Sequence, residues 1–216
     1  MKLIICVLAS IAFVTADFTC ERQKPEVPQV WLDMVDPCIQ KVRGQVQEEL
    51  KASIQYLAMA AYFSRDSVNR MGFAKMFYEA ASEEREHAIK LIEYLLMRGE
   101  LVSNVSSLIK PKIFPTTTEW NSGVHALKDA LKLEASVTEK IRDVIITCEE
   151  PKNVNPANPS KNNYNDYHFV DYLTGVFLEE QYKGQREIAG KIATLDKFMA
   201  KHGPLGEFLY DKQLSA

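Results

Sequence analysis

Glu83-Glu84-Arg85-Glu86-His87 sits inside a run whose apolar residues Phe73, Phe77, Ala80, Leu91 and Tyr94 recur in alternating steps of four and three. That is the spacing of one face of an α-helix, and Glu84 and His87 fall on the same line. A carboxylate on a core face without a compensating charge costs several kcal/mol or takes up a proton instead. Two metal-ligand residue types therefore point at the core. The competing reading of this segment alone is a solvated helix face laced with salt bridges.

Three other stretches repeat the pattern. Val35, Ile39, Val42 and Val46 lead to Glu49, with Ser53 and Tyr56 continuing the line. Val124, Leu127 and Leu131 lead to Glu134, followed by Thr138, Ile141 and Ile145. Val170, Leu173 and Phe177 lead to Gln181, with Gly184 and Ile188 after it. One acid on an apolar face is more often a satisfied structural residue than a ligand. Four stripes each interrupted near mid-helix are better explained by a metal site inside a helix bundle, where Glu and Glu-x-x-His project inward; Glu84-x-x-His87 is that motif.

Composition bounds the rest. The chain has 216 residues, 46% hydrophobic and 25% charged, which suits one globular domain with a substantial core. A net charge of −3 without a basic stripe gives nucleic-acid binding no electrostatic support. Met1-Lys2, the apolar run Leu3 to Val14 and Thr15-Ala16-Asp17 read as a secretory signal peptide (1–16) cleaved after Ala16. The apolar run is too short to span a bilayer. Cleavage removes Cys6 and leaves Cys20, Cys38 and Cys148 to mature in an oxidising compartment, where thiols usually pair. Three is odd, so one cysteine stays free or joins another chain. Asn104-Val105-Ser106 is an N-glycosylation acceptor, whereas Asn158-Pro159-Ser160 is disqualified by its proline.

After an N-terminal arm (17–36), the domain occupies 37–216. The periodicity predicts a first helix from about Pro37 to Phe63 and a second from about Asn69 to Arg98, each roughly 40 Å long. Between Gly99 and Thr118 the periodicity stops, over a connection long enough to run the height of a bundle. The third helix is expected to start at the capping-box pattern Thr116-x-x-Glu119 and to end near Cys148. Glu149 to Asn165, rich in proline and asparagine, reads as a loop. The fourth helix covers about Tyr167 to His202, and Gly203-Pro204 breaks it before a short amphipathic helix, Leu205 to Leu214. Its apolar residues Leu205, Phe208 and Leu209 are expected to pack against neighbouring subunits. The fold class is thus all-α: a four-helix bundle of two hairpins joined by one long crossover, with a short fifth helix. Cys38 and Cys148 then fall at the same end, roughly 16 and 21 Å from the ligand level, so a disulfide between them is geometrically reasonable and Cys20 is the odd thiol.

The chain resembles the ferritins from Asp36 to Leu214. The residues that carry the likeness are Glu49-Leu50-x-Ala52-Ser53-x-x-Tyr56-Leu57, Tyr62-Phe63-x-Arg65-Asp66, Glu83-Glu84-Arg85-Glu86-His87-Ala88-x-Lys90-Leu91, Leu133-Glu134, Glu180-Gln181 and Leu209-Tyr210-Asp211-Lys212. With its signal peptide, cysteines and sequon it is most similar to the secreted heavy-chain homologues of insects and related arthropods. That resemblance implies a di-iron ferroxidase centre in which Glu49 and His87 bind the first iron, Glu84 bridges, and Glu134 with Glu83 serves the second. It assigns Gln181 to the oxygen-side chemistry and Tyr56 to hydrogen-bonding a ligand. Hard carboxylates with one imidazole suit Fe(II) and favour Fe(III) further.

The implied activity is oxidation of Fe(II) by O₂ inside a hollow multi-subunit shell, followed by storage as Fe(III) mineral. The implied partner is a secreted light-chain homologue, joined through Cys20. Gln181 and Gly184 stand where an enzyme that keeps its di-iron cofactor would have a second Glu-x-x-His, so oxidised iron should leave for storage. The chain departs from the pattern in having Thr174 one turn after Asp171, where acids usually line the three-fold channels, and Ile89 where a mineral-nucleating acid is common. Two competing readings are a light-chain-like shell subunit that stores iron without oxidising it, and a secreted helical signalling bundle. The first would normally have lost ligand acids; the second leaves five buried ionisable groups unexplained.

Overall fold

The computed structural model describes residues 26–100, 108–109, 112–150 and 165–215. The predicted cleavage site, Cys20 and the Asn104 sequon lie outside them. A single 3₁₀ turn, Gln29–Trp31, precedes helix α1 (Asp36–Ser64). Then come α2 (Met71–Met97), α3 (Gly123–Glu149), α4 (Tyr167–Tyr172), a π-helical segment (Leu173–Phe177), α5 (Leu178–His202) and α6 (Pro204–Leu214). The segments from Tyr167 to His202 run on as the fourth long helix of the bundle. None of the described helices is long and apolar enough to cross a membrane.

Most of the residues on the four stripes are buried where the periodicity places them, including Leu173 and Phe177 of the fourth, while Ala80, Leu131, Val170 and Ile188 are half-buried. Ile39, Val42, Val46 and Tyr56 of α1, Phe73, Phe77, Leu91 and Tyr94 of α2, and Leu127, Ile141 and Ile145 of α3 all lie in the core. The α2 helix ends in a Schellman motif: Gly99, at φ +75°, sends its N–H to Leu96 O, and Glu100 sends its own to Leu95 O.

The start of α3 differs from expectation. Ser122, not Thr116, is the N-cap, its Oγ accepting from His125 N at 3.2 Å. Thr116 is committed elsewhere: its N and Oγ1 both bond Gln55 Oε1, at 2.8 and 2.9 Å, while Gln55 Nε2 donates to Thr117 O. A buried glutamine on α1 thus satisfies the backbone that the capping-box reading assigned to a helix start.

The apolar core is divided by a polar layer. On one side lie Cys38, Ile39, Val42, Leu91, Leu95, Ile141, Ile145 and Phe169. There the expected Cys38–Cys148 disulfide joins α1 to α3. Beside it Arg98 donates from Nη1 to Asp166 Oδ1 and to Tyr94 OH, each at 2.9 Å, and from Nε to Asp33 Oδ1 at 3.2 Å. On the other side Tyr56, Phe63, Phe73, Phe77, Trp120, Leu127 and Tyr210 form an aromatic cluster. Helix α6 closes that end. Its buried face is Gly206, Tyr210 and Asp211, whereas Leu205, Phe208 and Leu209 are exposed. Asp211 Oδ1 accepts the N–H groups of Gly72 and Phe73 at 2.8 and 3.1 Å, and so caps α2 from a distant part of the chain.

Candidate metal centre

The polar layer between the two apolar clusters contains Glu49, Glu84, His87, Glu134, Thr138 and Gln181, all buried. They come from α1, α2, α3 and α5, one group from each wall of the bundle. Glu49, Glu84 and His87 each present a donor atom within 4.8 Å of the others. Glu49 Oε1 takes a hydrogen bond from Gln45 Nε2, one turn earlier on α1, at 2.8 Å. Glu49 Oε2, Glu84 Oε2 and His87 Nδ1 are buried with no hydrogen-bond partner among the described residues. Buried polar atoms are normally paired, so an orphaned atom on each of three residues whose donors cluster this closely asks for a cation.

Glu134 completes the far side. Tyr56 OH donates to its Oε1, and Thr138 Oγ1 lies 2.8 Å from Gln181 Oε1. Gln185 Nε2, one turn on from Gln181, donates to Thr138 Oγ1 at 2.7 Å. Tyr56, Glu83, Glu84, His87, Glu134, Gln181 and Gly184 line one cavity of about 200 Å³. Glu83 differs from its neighbour: it is exposed, at the cavity mouth with Glu79, Glu180 and Glu187.

The electrostatics say that the layer lacks positive charge. Burial, then the charge of Glu84, holds Glu49 well above the usual carboxylate range. Burial, then the charge of Glu134, pushes Glu84 up to about 8. Burial raises Glu134 as well, against hydrogen bonds from Tyr56 and Gln181 that pull it down. The Tyr56 hydroxyl is raised well above its ordinary value by burial and by the Glu134 carboxylate. A divalent cation displaces protons from such a cluster and relieves their mutual repulsion together. One imidazole among carboxylates is a donor set for a hard or borderline first-row metal, not for a thiophilic one.

All the residues singled out by the stripes meet in one layer, and Glu83 stands at its edge. Gln45 and Thr138 support the layer without having been given a part. Their signal was one-turn spacing, Gln45 to Glu49 and Glu134 to Thr138, which the sequence displays. Glu180 carries no such signal; its contact with His87 depends on how two helices face each other.

A four-helix bundle with one long crossover, a short closing helix and inward carboxylates with a Glu-x-x-His defines the ferritin-like class. A family profile for a ferritin-like domain matches residues 39–158. The chain is 52% identical to a ferritin heavy chain of Papilio xuthus, covering 99% of this chain and 98% of that one. It is 54% identical to a ferritin heavy chain of Drosophila melanogaster, over 96% and 95% of the two chains. It also superposes on the crystal structure of Trichoplusia ni secreted ferritin with a TM-score of 0.81 at 54% identity, covering 91% of this chain and 97% of that one. The chain belongs to the ferritin family.

Proposed function

We propose that this chain is the iron-oxidising subunit of a secreted ferritin shell: it takes Fe(II) as substrate, oxidises it with O₂ as electron acceptor, and passes Fe(III) to a stored mineral. The observation that carries the reading is the convergence of Glu49, Glu84 and His87, three buried donors whose facing atoms have no partner in the protein. In this reading Glu49 and His87 hold the first iron, Glu84 lies between the two metals, and Glu134 with Glu83 receives the second. Tyr56 and Gln181 hold Glu134 in place. The second site is poor in ligands, because Gln181 and Gly184 offer no carboxylate or imidazole, so the oxidised product is free to leave. The names of its relatives, ferritin heavy chain and secreted ferritin, support the same activity and compartment.

Oxygen-dependent loss of Fe(II), followed with the purified shell, tests the reading. The Glu84→Ala/His87→Ala double variant is expected to assemble but to oxidise iron no faster than buffer alone, because it removes two metal ligands while the loss of Glu84 relieves its repulsion with Glu49 and Glu134. Oxidation by the double variant at the parent rate would overturn the assignment of Glu84 and His87 to the centre, and a parent shell that oxidises iron no faster than buffer would leave the chain as a subunit that stores iron without oxidising it.

Shell partnership follows from the cysteines. With Cys38 and Cys148 bonded to each other, Cys20 is the unpaired cysteine of the predicted mature chain, and we infer that it links this subunit to a light-chain homologue. Non-reducing electrophoresis of the native shell should show a heterodimer band that disappears with Cys20→Ser; monomer in both samples rejects the link.

A further inference from the structure

Glu180 stands beside the proposed centre with no part in it so far. Its Oε2 lies 2.9 Å from His87 Nε2. On the other side of the same ring, Nδ1 lies 3.7 Å from Glu84 Oε2 and is one of the three orphaned atoms. A neutral imidazole carries one N–H and one lone pair, and the partner at one nitrogen decides which is which. A carboxylate can only accept, so Glu180 fixes the hydrogen on Nε2. The Nδ1 lone pair is thereby left facing Glu84.

Two further contacts hold this arrangement. Lys90 Nζ, one turn before Tyr94 on α2, lies 3.4 Å from the same Glu180 oxygen. The Phe177 ring, at the end of the π segment, packs against the imidazole with centroids 5.4 Å apart. The Glu180 side chain is 42% exposed, so burial does not force it onto the histidine.

We propose that Glu180 is a positioning residue for the iron centre: it holds His87 in the tautomer and orientation that present Nδ1 to the metal, without touching the metal itself. The inference rests on the assignment of Glu49, Glu84 and His87 as ligands. Metal-bound histidines commonly donate their second N–H to a carboxylate, and loss of that partner typically lowers metal affinity about 10- to 100-fold.

The test uses Co(II) binding to the assembled, metal-free shell, read from its visible absorption, so that no turnover is needed. Glu180→Ala should weaken the tightest Co(II) site about 10- to 100-fold and alter its spectrum. Glu180→Gln, whose amide oxygen still accepts from Nε2, should recover most of the affinity. Glu179→Ala, which removes an exposed carboxylate paired with Lys183 on the same helix, should leave it unchanged. If Glu180→Ala binds Co(II) like the parent while His87→Ala does not, the positioning role is overturned and the centre stands. If Glu180→Gln is as weak as Glu180→Ala, a charge effect replaces the proposed orientation. If His87→Ala itself binds like the parent, the ligand assignment fails first.

Discussion

The two ends of the bundle are held by different chemistry. At one end a disulfide joins α1 (Cys38) to α3 (Cys148), and the buried guanidinium of Arg98, just past α2, ties the N-terminal arm (Asp33) to the N-cap of α4 (Asp166). At the other, rings meet rings: Phe63 lies 5.2 Å from Phe73 and 6.5 Å from Trp120, and Tyr62 lies 5.4 Å from Trp120. The connections explain the difference. A short turn, Arg65 to Arg70, joins α1 to α2 at the aromatic end, so little loop entropy opposes its closure. The arm, the crossover and the proline-rich connection all depart from the opposite end, where the long stretches of sequence between helices make chain closure more costly and a cross-link correspondingly more useful. Between the ends lies the layer of acids.

Three measurements would break or sharpen that contrast. The largest stability loss is expected at the aromatic end: Phe63→Ala removes a fully buried ring and should cost about 3–5 kcal/mol in denaturant unfolding of the subunit. A loss below about 1 kcal/mol would mean that the rings do not carry that end. The Cys38→Ser/Cys148→Ser variant should lose somewhat less, about 2–4 kcal/mol, for a bridge closing 110 residues of sequence separation. Its rate of Fe(II) oxidation should stay at the parent value; a parallel fall in activity would show that the cross-linked end and the metal layer are mechanically one unit.

The third measurement concerns the layer itself, and reads a slope with pH rather than a loss at one pH. Folding raises Glu84 from 4.5 to about 8, so the native metal-free protein binds more protons than the unfolded chain between those values. Its contribution is therefore fully present below pH 4.5 and is lost as pH rises toward about 8. Metal-free Glu84→Gln should show a flatter fall in stability across this window than the parent, measured by denaturant midpoints at its two ends. Identical slopes would mean that Glu84 does not titrate there.

The bundle and most of its polar layer were legible because both are written in helical spacing. Glu49, Glu84, His87, Glu134 and Gln181 interrupt stripes whose other members are plainly apolar, and burial followed from the period alone. What spacing cannot show is which distant group satisfies a given backbone. Thr116-x-x-Glu119 has the form of a capping box, yet Gln55 claims its threonine and Ser122 starts the helix. The π segment escaped notice for a related reason: a step of four from Leu173 to Phe177 fits an α-helix as well as a wider turn. Glu83 and Glu84 are adjacent and alike, but one is exposed and one buried; a helix advances about 100° per residue, so neighbours in sequence need not share a face.

The cap that α6 places on α2 also orders events in time. Gly72 N–H finds its acceptor 139 residues further along the chain. At a synthesis rate of about 5–20 residues per second, that acceptor arrives on the order of ten seconds after the helix it serves, whereas helix formation itself takes about a microsecond or less. Helix α2 is therefore born with its first turn open. The aromatic end gains its final hydrogen bonds only when α6 folds back, so a chain cut short before Asp211 would leave two amides of α2 bare.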